Sequence, residues 1–426
     1  MAAMFTTIAF SIFVTILVVD VIHYGAMILF LRGIKRKAWK TPSDPFTPKT
    51  MVVLTLRGED PFLERCVRGL LTQNYPCYDI RFVVDHPDDS ALPTVKNIVR
   101  ETGADNVGFL VVDEHFSTCT LKCNSLVHAV ESLDDSYEVV AFLDADVNPH
   151  SDWLRDLVEP LSDPGFGATT GQRWYIPGTD NFGSLVRYLW NAAAIVQMYL
   201  YGMVWGGSFA LRRRVFTEGK LCKKWKHAFT DDMSIVTSLR KIGEKTAFVP
   251  SLFMVNRETC TLSSFHRWVR RQLLCAKLHH PAWNAVVGQS VLITLPLLAA
   301  FGLLAFSLCT GDYTASAWSL AALVAYWIGV FGTLPFMELA IRRKLRERNE
   351  SLNPWTFGRT LRTLLAVPLT QLVYTSAMLG VHFLKKVEWR GVWYEIGKDK
   401  TVKLVEYIPY AEVNNEKPST DAPTSL

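Results

Sequence analysis

Four long apolar runs constrain the fold of this chain more than any other feature of its sequence. They cover residues 4–31, 285–308, 317–337 and 363–384. Each has roughly the 20 apolar residues that a helix needs to cross a bilayer, although Asp20 and His23 interrupt the first run. The pattern predicts an integral membrane protein whose apolar residues are gathered near the two ends of the chain.

Basic residues beside these runs predict the orientation of the chain. The first run is followed by a cluster of five, Arg32, Lys35, Arg36, Lys37 and Lys40. By the positive-inside rule, the chain after this cluster is cytosolic, the link 309–316 is outside, and the basic link 342–362 is inside. Basic residues flank the last run on both sides. Its charge pattern therefore leaves open whether it spans the membrane or forms a re-entrant or interfacial helix. The membrane is a bacterial plasma membrane or an ER or Golgi membrane.

The apolar runs divide the chain into four parts. Residues 1–40 hold the N-terminal span and its basic flank, and 41–280 have the polarity and size of one α/β domain. Residues 281–384 hold spans at 285–308, 317–341 and 363–384, and 385–426 end in a polar tail with the composition of a disordered segment. The net charge of +5 is small for 426 residues and lies beside apolar runs, which argues against nucleic acid as a partner. The oligomeric state is left open.

The middle part contains short β-branched runs at 50–56, 78–84, 106–112 and 137–143. Runs of this kind, separated by segments of helical length, predict a mostly parallel sheet buried on both faces. Ligands of such sheets bind at the carboxyl ends of the strands. Those ends carry an unusual number of acidic side chains, among them Asp60, Asp85, Asp88, Asp89, Asp113, Glu114, Asp144 and Asp146.

The segment VVAFLDADVNP places Asp144 and Asp146 directly after a buried strand. Two carboxylates at i and i+2 can share a hard divalent cation whose other ligands are phosphate oxygens. The alternative is that both acids cap the helix expected near Ser151. Neither G-x-G-x-x-G after the first strand nor G-x-x-x-x-G-K-[ST] occurs, so dinucleotide and P-loop sites lack their main support.

Four further segments point to a site. Gly206 and Gly207 allow close backbone approach, and Asp231 and Asp232 in FTDDMSI stand at a probable helix start, where they could instead serve the helix dipole. The segment 263–280 places four cations, aromatic residues and Gln272 on a helix just before the second span, where it could instead be a basic helix bound to anionic lipid. The aromatic segment 185–205 reads either as a core helix or, with 263–280, as an interfacial helix that frames a lateral opening to the site.

Taken in order, these segments resemble the membrane-bound family 2 glycosyltransferases with a GT-A fold, and most closely the ceramide glucosyltransferase-like branch. The resemblance covers nearly the whole chain. It is carried by the segments LRGEDPFLERCVRGLLTQNYPCYDIRFVVDHPDD (56–89), LDADV, VWGGSFALRRRVF (204–216), FTDDMSI (229–235) and VEWRGVWYEI (387–396).

The resemblance implies transfer of a sugar from a nucleotide donor, with inversion, by a metal-dependent hexosyltransferase. It implies that Asp232 is the catalytic base and that Asp144 and Asp146 hold Mg²⁺ or Mn²⁺. The implied donor-site residues are Arg57, Gly58, Asp85, Asp88, Lys122, Asp144 and Arg271. The implied acceptor-side residues are Gly206, Gly207, Ser208, Asp231, Trp268 and Gln272.

One motif departs from the family pattern. Where (Q/R)-x-x-R-W is expected, this chain has Trp268, Arg271 and Gln272. Arg271 is carried over as a diphosphate partner because a guanidinium binds phosphate in a bidentate manner. The role of the missing tryptophan is left open.

The most favoured function is a single transfer of sugar, glucose from UDP-glucose, to the hydroxyl of a membrane lipid such as ceramide. The alternatives are a processive polysaccharide synthase of the cellulose or hyaluronan type, and a transporter or signalling protein that only binds the nucleotide. Few polar groups lie within the apolar runs, which disfavours both a sugar channel and a transport pathway.

Overall fold

A computed structural model describes residues 2–35, 39–40 and 43–416. The strands of the described chain are β1 (Thr50–Leu56), β2 (Tyr78–Val84), β3 (Val107–Val111), β4 (Val139–Leu143), β5 (Phe166–Tyr175), β6 (Ser208–Arg212), β7 (Lys245–Asn256), β8 (Lys386–Trp389), β9 (Val392–Ile396) and β10 (Val402–Leu404). The helices are α1 (Ala2–Lys35), α2 (Leu63–Leu71), α3 (Ala91–Thr102), α4 (Leu121–Glu131), α5 (Trp153–Val158), α6 (Phe182–Tyr201), α7 (Arg213–Thr217), α8 (Leu221–Trp225), α9 (Ile235–Lys241), α10 (Leu262–His279), α11 (Trp283–Thr310), α12 (Tyr313–Arg346), α13 (Phe357–His382) and α14 (Tyr410–Glu416).

Strands β1 to β7 form one mostly parallel sheet in the order β3-β2-β1-β4-β6-β5-β7. Only β6 runs antiparallel to its two neighbours, β4 and β5. The predicted runs 50–56 and 78–84 coincide with β1 and β2, whereas 106–112 and 137–143 shorten to β3 and β4. The prediction of a mostly parallel α/β sheet is confirmed.

Burial along the strands follows their position in the sheet. β4 is buried along its whole length and β1 nearly so, because both are central and helices cover both faces. β3 is an edge strand and Phe109 in it is 38% exposed, so the prediction that all four runs are buried on both faces is wrong for this one. One face packs on α2, α3 and α5, and the other on α4, α8 and α9.

Four helices of the described chain are long and apolar enough to cross a membrane by length and composition: α1, α11, α12 and α13. α1 packs along α12 and α11, and α13 packs on α10 and α6. The outward surfaces carry large apolar side chains, for example Val21 at 71%, Phe301 at 69% and Leu339 at 71% exposure. Surfaces of this composition are suited to a hydrocarbon environment.

The helix α6 connects the sheet domain with these long helices. It contacts α1, α10 and α13, and eleven of its residues are buried. The Tyr188 hydroxyl donates a hydrogen bond of 2.9 Å to Glu338 in α12. Much of α6 is therefore core, which agrees with one of the two interpretations of 185–205. The other interpretation, an interfacial helix, stays a prediction, because α6 also lies beside helices that could span a membrane.

The C-terminal part of the chain folds back onto the sheet domain. β8, β9 and β10 form a small antiparallel sheet, and the amide of Leu404 donates to the carbonyl of Ser117 at 2.8 Å. The short helix α14 ends at Glu416, within the predicted tail. The rest of that tail, 417–426, lies outside the described residues.

Candidate active site

A cavity lies at the carboxyl ends of β1, β2 and β4, where parallel sheets bind their ligands. Its polar half contains side chains from each of these strand ends, together with groups from α4, β5 and the segment before α9. All the predicted site residues except Asp88 and Ser208 line it: Arg57, Gly58, Asp85, Lys122, Asp144, Asp146, Gly206, Gly207, Asp231, Asp232, Trp268, Arg271 and Gln272.

The structure does not bring Asp88 and Ser208 into this cavity. The Asp88 side chain is 82% exposed, beside His86. The neighbouring carboxylate of Asp89 is the buried one, and it accepts hydrogen bonds from the amides of Gly58 at 2.9 Å and Ala91 at 2.9 Å. Ser208 is fully buried in β6, and its hydroxyl accepts a hydrogen bond from the Trp153 indole at 2.9 Å.

Lys122 joins two acidic segments of the site. It lies in the first turn of α4, which Thr120 caps through its side chain. The Lys122 ammonium is 2.8 Å from Asp144 and 3.1 Å from Asp231. Burial alone would lower the pKa of Lys122, but these two carboxylates outweigh burial and raise it, so the side chain stays charged. Lys122 therefore supplies a fixed positive charge at the centre of the cavity.

Asp146 pairs with a residue that the sequence did not single out. Its carboxylate lies 3.2 Å from the guanidinium of Arg173, near the end of β5. Burial raises the pKa of Asp146, and Arg173 opposes that rise. Asp144 and Asp146 do not cap a helix, because α5 begins at Trp153 with Asp152 as its N-cap residue. The capping alternative is therefore wrong.

Asp232 is held by two hydrogen-bond donors at the edge of the cavity. The Thr230 hydroxyl donates to one carboxylate oxygen at 2.7 Å, and the Gly206 amide donates to the other at 3.1 Å. A side chain at Gly206 would press on the carboxylates of both Asp231 and Asp232, which explains why glycine suits this position. Burial raises the pKa of Asp232, and the Thr230 hydroxyl opposes that rise. α9 begins only at Ile235, so neither acid occupies the expected helix start.

The C-terminal segment covers the other side of the polar half. Arg390 donates to the carbonyl of Arg57 at 2.9 Å, and the Tyr394 hydroxyl accepts a hydrogen bond from the amide of Leu121 at 3.2 Å. The Tyr407 hydroxyl donates to the carbonyl of Asp85 at 2.7 Å. Arg57 itself pairs with Asp85. The W-R-G-x-x-Y segment thus forms part of the cavity wall, a role that its sequence alone did not indicate.

Arg271 projects from α10 into the same half of the cavity. Burial lowers the pKa of Arg271 to about 10, which still leaves it charged at neutral pH. The ring of Trp389, from β8, lies 5.2 Å from its guanidinium, and the Phe229 ring lies 5.9 Å from that of Trp389. An aromatic partner for Arg271 therefore comes from the C-terminal sheet. In the helix itself, the residue that follows Arg271 is Gln272, where the family motif has tryptophan.

The resemblance implies that a UDP-sugar binds beside Arg271, so Trp389→Leu is expected to weaken binding of UDP about tenfold, because a desolvated cation–π contact contributes up to about 2 kcal/mol and orients the guanidinium. Titration calorimetry of UDP into the purified protein measures this change. Trp393→Leu is the matched control, since Trp393 lies in the same hairpin but is 47% exposed and outside the cavity. Equal affinities for both variants and the parent protein would contradict a role for Trp389 at the donor site.

The second half of the cavity is mainly apolar. It is lined by Trp190, Ala194 and Met198 of α6, by Leu273 and Ala276 of α10, and by Val286 of α11. Trp190 stacks edge-on against Trp268 at 5.4 Å, next to the polar half. Val286 lies in the first turn of a candidate span. The cavity therefore extends from the acidic centre to the start of the long apolar helices.

Asp144 and Asp146 could bind a divalent cation here if a bound substrate supplied the remaining ligands. The described residues include no group of three or more His, Cys, Asp or Glu side chains that could hold a metal alone. Mg²⁺ and similar ions are commonly bound by one or two carboxylates plus substrate phosphates. Asp144 and Asp146, which both line the cavity, match that arrangement.

The mostly parallel sheet, with its strand order and its flanking apolar helices, is typical of the GT-A fold. The chain belongs to glycosyltransferase family 21: the model of that family, described as "Glycosyl transferase family 21", matches residues 13–402.

Known proteins that resemble the chain include a mannosyltransferase of solved structure and a second glycosyltransferase. The mannosyltransferase PcManGT from Pyrobaculum calidifontis, solved with GDP-Man and Mn²⁺, has a TM-score of 0.50 and 18% identity, over 79% of this chain and 99% of that one. This likeness supports the fold. The glycosyltransferase AglE of Haloferax volcanii is 26% identical over 128 residues, 29% of this chain. The match spans only 39% of that relative's length.

Proposed function

We propose that this protein is an inverting hexosyltransferase that moves glucose from UDP-glucose to the hydroxyl of a membrane lipid such as ceramide, at the cytosolic face of its membrane. The observation that carries the proposal is the two-part cavity. One half holds acids and cations suited to a nucleotide diphosphate, and the other half is apolar and reaches Val286 at the start of α11.

The charges of the polar half suit the donor. Lys122 and Arg271 are half-buried cations that would neutralise the diphosphate as negative charge builds on it. Arg57, Gly58 and Asp85 line the cavity at the ends of β1 and β2 and would hold the nucleoside. Asp88 has the weakest support among the expected donor-site residues, because its side chain is exposed. The neighbouring buried carboxylate, that of Asp89, accepts the hydrogen bond from the Gly58 amide.

Asp232 would serve as the general base. In a direct displacement, the acceptor hydroxyl attacks the anomeric carbon, its proton passes to the Asp232 carboxylate, and the bond from the anomeric carbon to the diphosphate oxygen breaks. The diphosphate leaves with the electron pair of that bond, and the configuration inverts. The Thr230 and Gly206 donors fix the carboxylate, so it keeps one orientation toward the acceptor.

Asp144 and Asp146 would hold Mg²⁺ or Mn²⁺ against the donor diphosphate. Such an ion supplies positive charge that stabilises the leaving group. Arg173 beside Asp146 and Lys122 beside Asp144 limit the negative charge of the pair, so the donor phosphates are needed to complete the ligand set.

A processive synthase is the less supported alternative, because a polar path through the long helices would be required. Several polar side chains in those helices pair with one another, as Gln289 does with His23 at 3.2 Å and Gln371 with Thr294 at 3.0 Å. Such pairs hold helices together and are no longer available to bind a sugar chain.

Thin-layer chromatography of lipids tests the proposal. Purified protein in detergent is incubated with labelled UDP-glucose, Mn²⁺ and ceramide, and parallel samples contain other lipid alcohols or other labelled UDP-sugars. We expect a new labelled lipid that carries one sugar. A labelled polymer that stays at the origin would favour the processive alternative, and release of UDP without a labelled lipid would contradict lipid glycosylation.

A further inference from the structure

A second concave surface lies outside the catalytic cavity, between the end of α1 and the end of α6. We call it the α1–α6 groove, and it is lined by Leu29, Arg32, Leu200, Met198, Met203 and Phe248, among others. Most of these side chains are apolar, and Leu29 and Leu200 are 50% and 43% exposed. The groove is thus an open apolar surface with one basic side chain beside it.

The position of this groove relates it to the membrane. Leu29 and Arg32 lie in the last two turns of α1, which is long and apolar enough to cross a membrane. Arg32 begins the basic cluster that the positive-inside rule assigns to the cytosolic end of this span. An apolar surface at that depth would face the hydrocarbon edge of the cytosolic leaflet, where a lipid chain can reach it without crossing water.

Two methionines lie between this groove and the catalytic cavity. Met198, in α6, and Met203, in the turn after it, line both surfaces. Methionine is unbranched and adapts its shape easily, so a pair of methionines can let a chain pass without rearrangement of the backbone. Gly202, which lies between them in the sequence, has a positive φ angle, and a Cβ atom added there would contact no neighbouring atom.

We infer that the α1–α6 groove binds one hydrocarbon chain of the acceptor lipid and leads its headgroup into the catalytic cavity past Met198 and Met203. The inference rests on the proposed function in taking the occupant to be the acceptor. The two shared methionines carry it, because a lipid chain in the groove would have its polar end next to Met198 and Met203, which also line the catalytic cavity.

Leu29→Trp tests the inference by filling the groove. We expect the apparent KM for a long-chain lipid to rise about tenfold, as the lost burial of roughly two methylenes implies, with the donor KM unchanged. The KM for a short-chain, water-soluble acceptor should not change. Ile28→Trp is the matched control, because Ile28 is 45% exposed on the same helix but does not line the groove. Equal effects of the two variants, or equal effects on the two acceptors, would overturn the inference.

Photolabelling separates this inference from the proposed function. The full-length protein in detergent, without donor, is exposed to a long-chain alcohol that carries a diazirine, and labelled peptides are mapped by mass spectrometry. We expect labels in 29–33 and 198–203 that decrease in Leu29→Trp and persist in Ile28→Trp. Labelling at these sites without any lipid glycosylation would support the groove and contradict the proposed function. Lipid glycosylation without labelling there would overturn the groove and leave the function standing.

Discussion

Asp232→Asn should lower turnover by roughly 10²-fold to 10⁴-fold, the usual contribution of a general base, while donor and acceptor still bind. The amide keeps the shape of the side chain: its oxygen can accept the hydrogen bond from the Gly206 amide, while its NH₂ group can donate to the Thr230 hydroxyl. It cannot take up the proton of the attacking hydroxyl. Initial rates with labelled UDP-glucose measure turnover, and calorimetry with UDP verifies that the donor site is intact.

Asp231→Asn is the informative comparison for this variant. Asp231 adjoins the proposed base, but its carboxylate is the partner of Lys122 at 3.1 Å. Loss of this carboxylate should mainly leave the Lys122 ammonium less firmly positioned. We therefore expect a smaller loss of turnover than for Asp232→Asn, together with weaker UDP binding. If Asp231→Asn proved the slower enzyme with unchanged UDP affinity, the base would be Asp231.

Asp146→Ala should abolish the gain in UDP affinity that Mn²⁺ provides and lower transfer by at least about 100-fold, because a carboxylate ligand of the ion is lost. Titration of UDP into the variant with and without Mn²⁺ measures the effect directly. Metal-dependent binding that persists in the variant would show that Asp146 does not hold the ion.

This experiment needs two further variants. Asp146→Ala leaves the half-buried Arg173 without its partner, which costs stability, so Asp146→Asn provides a second variant that keeps the shape of the side chain. Asp113→Ala is the control for general loss of acidity, since Asp113 follows β3 at the same edge of the sheet but is exposed and outside the cavity. Both are first compared with the parent protein by thermal unfolding.

Much of the fold could be predicted because its signals are local. β1 and β2 begin and end where their β-branched runs do, and the four apolar runs correspond to long helices. β5 and β7 were not predicted. Glycines interrupt the pattern of β5, Pro250 interrupts that of β7, and the pairing of the two strands contains irregularities in register. Their assignment depends on neighbouring strands rather than on their own residues.

The candidate site shows the same division. Acids after strands indicated where a site would form, because the ends of parallel strands share one edge of the sheet. Spacing could not decide between the adjacent acids Asp88 and Asp89, since the turn after β2 determines which carboxylate faces inward. In the structure the Asp88 side chain is exposed, whereas the Asp89 carboxylate faces inward and accepts a hydrogen bond from the Gly58 amide.

The class of the chain could be predicted from its sequence: long apolar helices around an α/β domain, with acidic residues at the strand ends and a basic helix before the second of the apolar helices. These features depend on neighbours a few residues apart. Which side chains meet one another depends on the tertiary structure. Arg173 pairs with Asp146, Lys122 joins Asp144 to Asp231, and Trp389 lies over Arg271. These contacts join segments far apart in the chain, and they arise from the packing of strands, helices and the returning C-terminal sheet, which no local pattern encodes.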